Sequence, residues 1–200
     1  MTKTEFANLA ISNLGTGINI ANIATEESEE AQACRTFFDV AFKSTLRAFD
    51  WPFARVIKEL SLVAEKPTSE WGYSYRYPSD CLMIHRILSG SNNETRDQRV
   101  PYIISKDASG RLVLTDHADV FVRYTQNISN YSLCTSDFSM AFSFKLAAYI
   151  APRLTQGDPF KLKQEMQSSY LMEISNAKAL ALNEEQAHQA PESEFIRTRY

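Results

Sequence analysis

The run Trp51-Pro52-Phe53-Ala54-Arg55, followed by Trp71-Gly72-Tyr73-Ser74-Tyr75-Arg76-Tyr77-Pro78-Ser79-Asp80-Cys81-Leu82, marks where the hydrophobic period of this chain changes. Before it, apolar residues recur every three or four positions, the period of an amphipathic helix. After it the spacing falls to about two, over Arg55 to Leu62, at Tyr73, Tyr75 and Tyr77, and at Val120, Val122 and Tyr124, as half-buried strands require. Pro52 enforces the change, because it lacks a donor and disfavours helical geometry in the residue before it.

Working back from Trp51, the residues Ala31, Cys34, Phe38, Ala41, Phe42, Leu46 and Phe49 predict a helix of about 20 residues, roughly 30 Å long. It starts near Glu26 to Ser28, where Glu26, Glu27, Glu29 and Glu30 complement the helix dipole. Gly15 to Thr25 reads as an ordered connection that tucks Ile18, Ile20 and Ile23 against something apolar. Before it, Thr2 with Glu5 is a capping box for a short helix whose face is Phe6, Leu9, Ala10 and Leu14, stopped at Gly15.

Working forward, Asp107-Ala108-Ser109-Gly110 sits between apolar runs as a hairpin turn, and Ser89 to Arg99 reads as an exposed loop. Helical pattern resumes at Ser136-Asp137. Phe138 to Ile150 is apolar on nearly every face, so this helix should be central, with Pro152 kinking it or weakening its last turn. Gly157-Asp158-Pro159 closes one helix and opens the next. That last helix runs to about Gln186 with a narrow stripe of Met166, Tyr170, Ile174, Ala177 and Ala181 on a polar rod of about 40 Å. The expected fold is α+β: an α-helical bundle of about four helices built from residues 1–52 and 131–186, an antiparallel β-rich insertion at 53–130, and an extended tail at 187–200.

Composition narrows function. A net charge of −3 argues against broad adhesion to nucleic acid or anionic membrane. No apolar run reaches the length of a spanning helix, and Met-Thr-Lys-Thr-Glu-Phe lacks the pattern of a secretory signal, so a protein made and assembled in a cytosol is expected. Cys34, Cys81 and Cys134 lie far apart without a C-x-x-C pair and read as buried thiols. His85, His117 and His188 have no metal-ligand spacing, Asp116-His117 lacks a nucleophile context, and no phosphate-cradling glycine loop is present. No catalytic, cofactor or metal residue is assigned. The tyrosines at 73, 75 and 77 fit sheet packing better than base stacking, because only Arg76 lies among them. Glu26, Glu27, Glu29 and Glu30 complement a helix start, and on the wall of a nucleic-acid pore they would oppose sticking. Ser193 to Tyr200 has the composition of a segment that orders on a partner, or of a frayed end.

Ala-x-x-x-Leu14-Gly15 with Ile18 and Ile20 beyond it, the Glu-Glu-Ala-x-x-Cys34 helix, Trp51-Pro-Phe-Ala-Arg55, Tyr75-Arg-Tyr-Pro-Ser-Asp-Cys-Leu82, Val122-Arg-Tyr124 and the long last helix together resemble the head-to-tail adaptors of short-tailed bacteriophages, the tail tubular protein A family. The resemblance runs from about Phe6 to the final Arg-Tyr. It implies a virion protein without catalysis, assembled in the host cytoplasm as a dodecameric ring. That ring sits below the portal, extends the DNA channel without binding DNA specifically, and seats the nozzle, with tail fibres as a further partner. Phe195, Ile196, Arg197, Arg199 and Tyr200 would reach the portal, the helices from Ser28 and Pro159 would form the wall, and Glu26, Glu27, Glu29 and Glu30 would face the channel. The alternatives are a virion-associated peptidoglycan hydrolase, which needs a carboxylate pair or nucleophile in a cleft, and a nucleic-acid-binding protein, which needs a basic recognition helix.

Overall fold

A computed structural model describes residues 1–88, 90, 99–155 and 157–184. Helix α1 (Lys3–Asn13) opens on the capping box: the Thr2 hydroxyl accepts from the Glu5 amide at 3.2 Å, and the Thr2 amide donates to Glu5 Oε2 at 3.0 Å. Gly15, at φ 73°, takes the left-handed turn that ends it. The connection beyond is held by Asn8, whose side chain donates to the Ile20 carbonyl and accepts from the Ile20 amide. Ile20 and Ile23 are buried there, whereas Ile18, expected to be buried with them, is exposed.

Helix α2 (Glu29–Leu46) starts at the cap Ser28 and buries Ala31, Cys34, Phe38, Ala41, Phe42 and Leu46. A single 3-10 turn at Pro52–Ala54 then feeds β1 (Arg55–Glu59), braced by Arg55 donating to Asp50 at 2.9 Å. Helix α3 (Ser136–Leu154) carries Pro152 in its last turn, and α4 spans Pro159–Asn183. In α4, Tyr170, Ile174, Ala177 and Ala181 are buried as the stripe predicted, with Met166 packed half-buried beside them.

Among the described residues, seven strands form two sheets. One has the order β1-β7-β4, from β4 (Cys81–Leu88) and β7 (Phe121–Gln126). The other has the order β2-β3-β6-β5, from β2 (Leu62–Glu65), β3 (Tyr73–Arg76), β5 (Ile103–Asp107) and β6 (Gly110–Thr115). The predicted turn at 107–110 joins β5 to β6, with Asp107 opposite Gly110.

Two compact units result. The first comprises Met1–Val56, Asp80–Met83 and Tyr124–Leu182. Its core is an aromatic cluster in which the rings of Phe6, Phe38, Phe42 and Phe142 meet at 5.1 to 6.4 Å, and Phe138 links it to Trp51 at 5.1 Å. Asp80 belongs here too, its carboxylate accepting from Tyr124 Oη and from Gln126 Nε2. The second unit comprises Ile57–Ser79 and Ile84–Arg123 and buries Tyr75, Tyr77, Ile84, Ile87, Val113 and Val122.

This corrects the expected bundle with a β insertion. The described residues form four α-helices and two antiparallel sheets, and the longest helices, of 19 and 25 residues, lie in the C-terminal part. The chain passes between units within β1, β4 and β7. Periodicity could not reveal this. It reports which face of a strand is buried, not which strand lies beside it, and β1 pairs with β7 across a long stretch of sequence. The expected loop at Ser89 to Arg99 falls outside the described residues except at Gly90 and Arg99, as does the tail at 187–200.

Candidate functional site

Glu26 is tied to its own loop: Oε2 accepts from the Ala21 amide at 2.6 Å and Oε1 from the Ser28 hydroxyl at 2.7 Å. The Ser28 hydroxyl, followed by the Ala21 amide, holds the Glu26 carboxyl below the usual carboxylate range. Arg35 crosses the same turn, donating to the carbonyls of Ile23 and Glu26. Glu27 is exposed, and Glu29 and Glu30 occupy the first turn of α2, so the four acids gather at one helix start. Ser28 serves two bonds here, accepting from the Ala31 amide while donating to Glu26. Ser28→Ala should lower stability by about 1 kcal/mol, read as a shifted urea midpoint at unchanged slope.

Two of the three tyrosines are taken up within the sheet. Tyr75 and Tyr77 are buried, Tyr75 donating its hydroxyl to the His117 carbonyl at 2.9 Å, and the Arg111 guanidinium covers the Tyr77 ring at 3.9 Å. Asp116 accepts from the Gly72 amide at 2.8 Å, which holds the turn before β3, and it forms no triad with His117. His188, Phe195, Ile196, Arg197, Arg199 and Tyr200 lie outside the described residues.

An open cleft of about 430 Å³ lies against Lys58–Ser61, the end of β3 and the 109–111 turn. On its wall Arg76 is paired with Asp107 by two contacts of 3.0 Å, Lys58 and Glu59 stand side by side, and the Arg111 guanidinium lies over Tyr77. Among the described residues, no group of three His, Cys, Asp or Glu side chains is placed to hold a metal ion, and no helix is long and apolar enough to cross a membrane.

Exposed apolar side chains are the larger surface feature. On α4, Phe160, Leu171 and Leu182 are exposed and recur every eleven residues, three helical turns, so they share one face about a quarter turn from the buried stripe. On the four-stranded sheet, both edge strands expose adjacent apolar residues: Leu62 and Val63 on β2, Ile103 and Ile104 on β5. Sequence reading missed these surfaces. The eleven-residue spacing on α4 was a usable signal, whereas edge position in a sheet leaves none. Compared with known proteins, the chain matches no family model and no curated sequence.

Proposed function

We propose that the chain is a structural protein of a short-tailed bacteriophage virion, a head-to-tail adaptor that forms a ring below the portal, extends the DNA channel and seats the tail nozzle. The observation that carries this reading is the set of ordered apolar rows left exposed on α4 and on both edges of a sheet, while each unit has its own core. Exposed apolar surface of this kind marks contact sites, and a ring subunit needs at least two different ones, because its neighbours sit on opposite flanks. A net charge of −3 suits a wall past which DNA slides. The family implied by the motifs around Trp51 and Tyr75 supplies the ring, the portal and the location in the virion neck.

Electron microscopy of the chain mixed with the portal ring of its phage tests the reading. A second ring stacked coaxially on the portal is expected, and truncation before Pro191 should abolish stacking while leaving the fold intact by circular dichroism. A chain that never meets the portal would sink the proposal, and stacking that survives the truncation would remove the tail from it.

A further inference from the structure

Among the described residues, the four-stranded sheet has two open edges that match each other. Its neighbours β2/β3, β3/β6 and β6/β5 are all antiparallel, so β2 and β5 run in opposite directions. A second copy placed beside the first in the same orientation therefore brings its β2 alongside β5 as an antiparallel neighbour, the arrangement already used inside the sheet.

The side chains agree with that join. Directly opposed residues share a face, and the register runs Leu62 opposite Tyr75, Tyr75 opposite Val113, and Val113 opposite Ile104. This apolar row crosses all four strands. It ends in the open at both edges, with Leu62 50% and Ile104 51% exposed. Setting Ile104 of one copy opposite Leu62 of the next continues the row, and the irregularity of β2 between Leu62 and Ala64 falls on the Ile103 side of the join.

Charge points the same way. Exposed Glu59, with Lys58 beside it, and exposed Glu65 bracket the β2 edge, and exposed Arg99 and Lys106 bracket β5. Asp107 is already taken by Arg76, and Lys66 stands where the chain leaves the strand at φ 49°. The antiparallel join sets Glu59 near Lys106 and Glu65 near Arg99. Pairing β2 with β2 or β5 with β5 would instead gather like charges. Pro101, which has no donor, bounds the ladder at one end. The geometry points to a head-to-tail joint between copies of this chain, in which β5 of one copy pairs with β2 of the next and the sheet continues across the boundary.

So short a ladder hides far less than the roughly 1,200 Å² at the lower end of stable interfaces, so two free copies join weakly. Ring closure gives every copy both joins at once and makes the contact persistent. The inference rests on the proposed ring only for that closure.

Cysteine cross-linking captures even a weak joint. Opposed residues in an antiparallel pair lie about 4.5 to 5.5 Å apart at Cα, within disulfide range, while Leu62 and Ile104 of one chain are separated by three strand steps, about 14 Å, and cannot bridge internally. With Cys134→Ser throughout, the Leu62→Cys/Ile104→Cys chain should oxidise to covalent dimers, trimers and longer ladders. Leu62→Cys alone and Ile104→Cys alone should stay single, and their equal mixture should stop at dimers. No ladder from the double variant, or a single variant that dimerises with itself, would overturn the joint. Both sites are half-exposed, and circular dichroism checks that the variants fold. Leu62→Lys/Ile104→Lys separates this inference from the adaptor reading: if that chain still stacks as a ring on the portal, the adaptor stands and the joint falls. If the cysteine chains cross-link as described but the wild-type chain never meets a portal, the joint stands and the adaptor falls.

Discussion

Trp51→Ala should destabilise the helical unit by about 3 to 5 kcal/mol, a large fraction of the 5 to 15 kcal/mol that holds a typical domain together. Trp51 is 1% exposed and lies against Phe49, Phe53 and Phe138 at ring separations of 5.2, 6.0 and 5.1 Å. Its Nε1 donates to the Thr45 carbonyl at 3.1 Å, near the end of α2, where the carbonyls lack partners within the helix. The substitution opens a cavity and removes one of that carbonyl's two donors, leaving the Ala48 amide at 3.1 Å. It also frees the chain just before Pro52, which sets the direction of β1. Urea unfolding followed by far-ultraviolet circular dichroism measures it, with Trp71→Phe as the control at a half-buried site. A loss below about 1 kcal/mol would mean that the surrounding aromatic rings close over the gap, and the central place given to Trp51 would be wrong.

The second large effect is on thiol chemistry. Burial, with the negative charge of Glu30 adding to it, pushes the Cys34 thiol up from 9.0 to about 12. At pH 8 the thiolate fraction should be roughly a thousandfold below that of an ordinary thiol, so Cys34 in the folded chain should react with a small alkylating reagent that much more slowly than in urea. Mass-spectrometric rates at the two conditions decide it. The same shift acts on stability with a definite sign. Because the folded pKa lies above the unfolded one, the unfolded chain loses its proton first. The stabilisation is complete below about pH 9 and is lost progressively as pH rises towards 12. Cys134 and Tyr124 are also pushed up to about 12, chiefly by burial, and add to the alkaline loss. Lys145 works in the opposite sense, since burial lowers its pKa and the cost of its charge is relieved at high pH. Cys34→Ala should therefore flatten the decline in melting temperature above pH 9. An unchanged decline would mean that the thiol gains access to water in the folded state.

Local chemistry was legible along the chain wherever one residue's backbone preference decides the outcome. The Thr2–Glu5 box, the helix start at Ser28, the break at Pro52, the turn at 107–110 and the restart at Pro159 all depend on neighbours within four residues, and all occur. The buried stripe of α4 was legible for the same reason. Ile18 was not, because its apolar side chain is shut out by where Asn8 clamps the connection at Ile20, a contact twelve residues away in sequence. The acids at Glu26 to Glu30 read correctly as a helix start, but the specific grip of Glu26 on Ala21 needed the loop to be built.

Partnership between distant segments is what the tertiary structure alone decided. Composition and period determined the low net charge and where helical spacing gives way to strand spacing along the chain. They did not determine that the strands divide into two sheets, that three of them run through both units, or that β2 and β5 end as open edges of one sheet. The reason is physical. A strand's alternation records burial of its faces, which lie perpendicular to the sheet, whereas its pairing partners lie in the plane of the sheet and are joined through backbone groups that every residue carries alike.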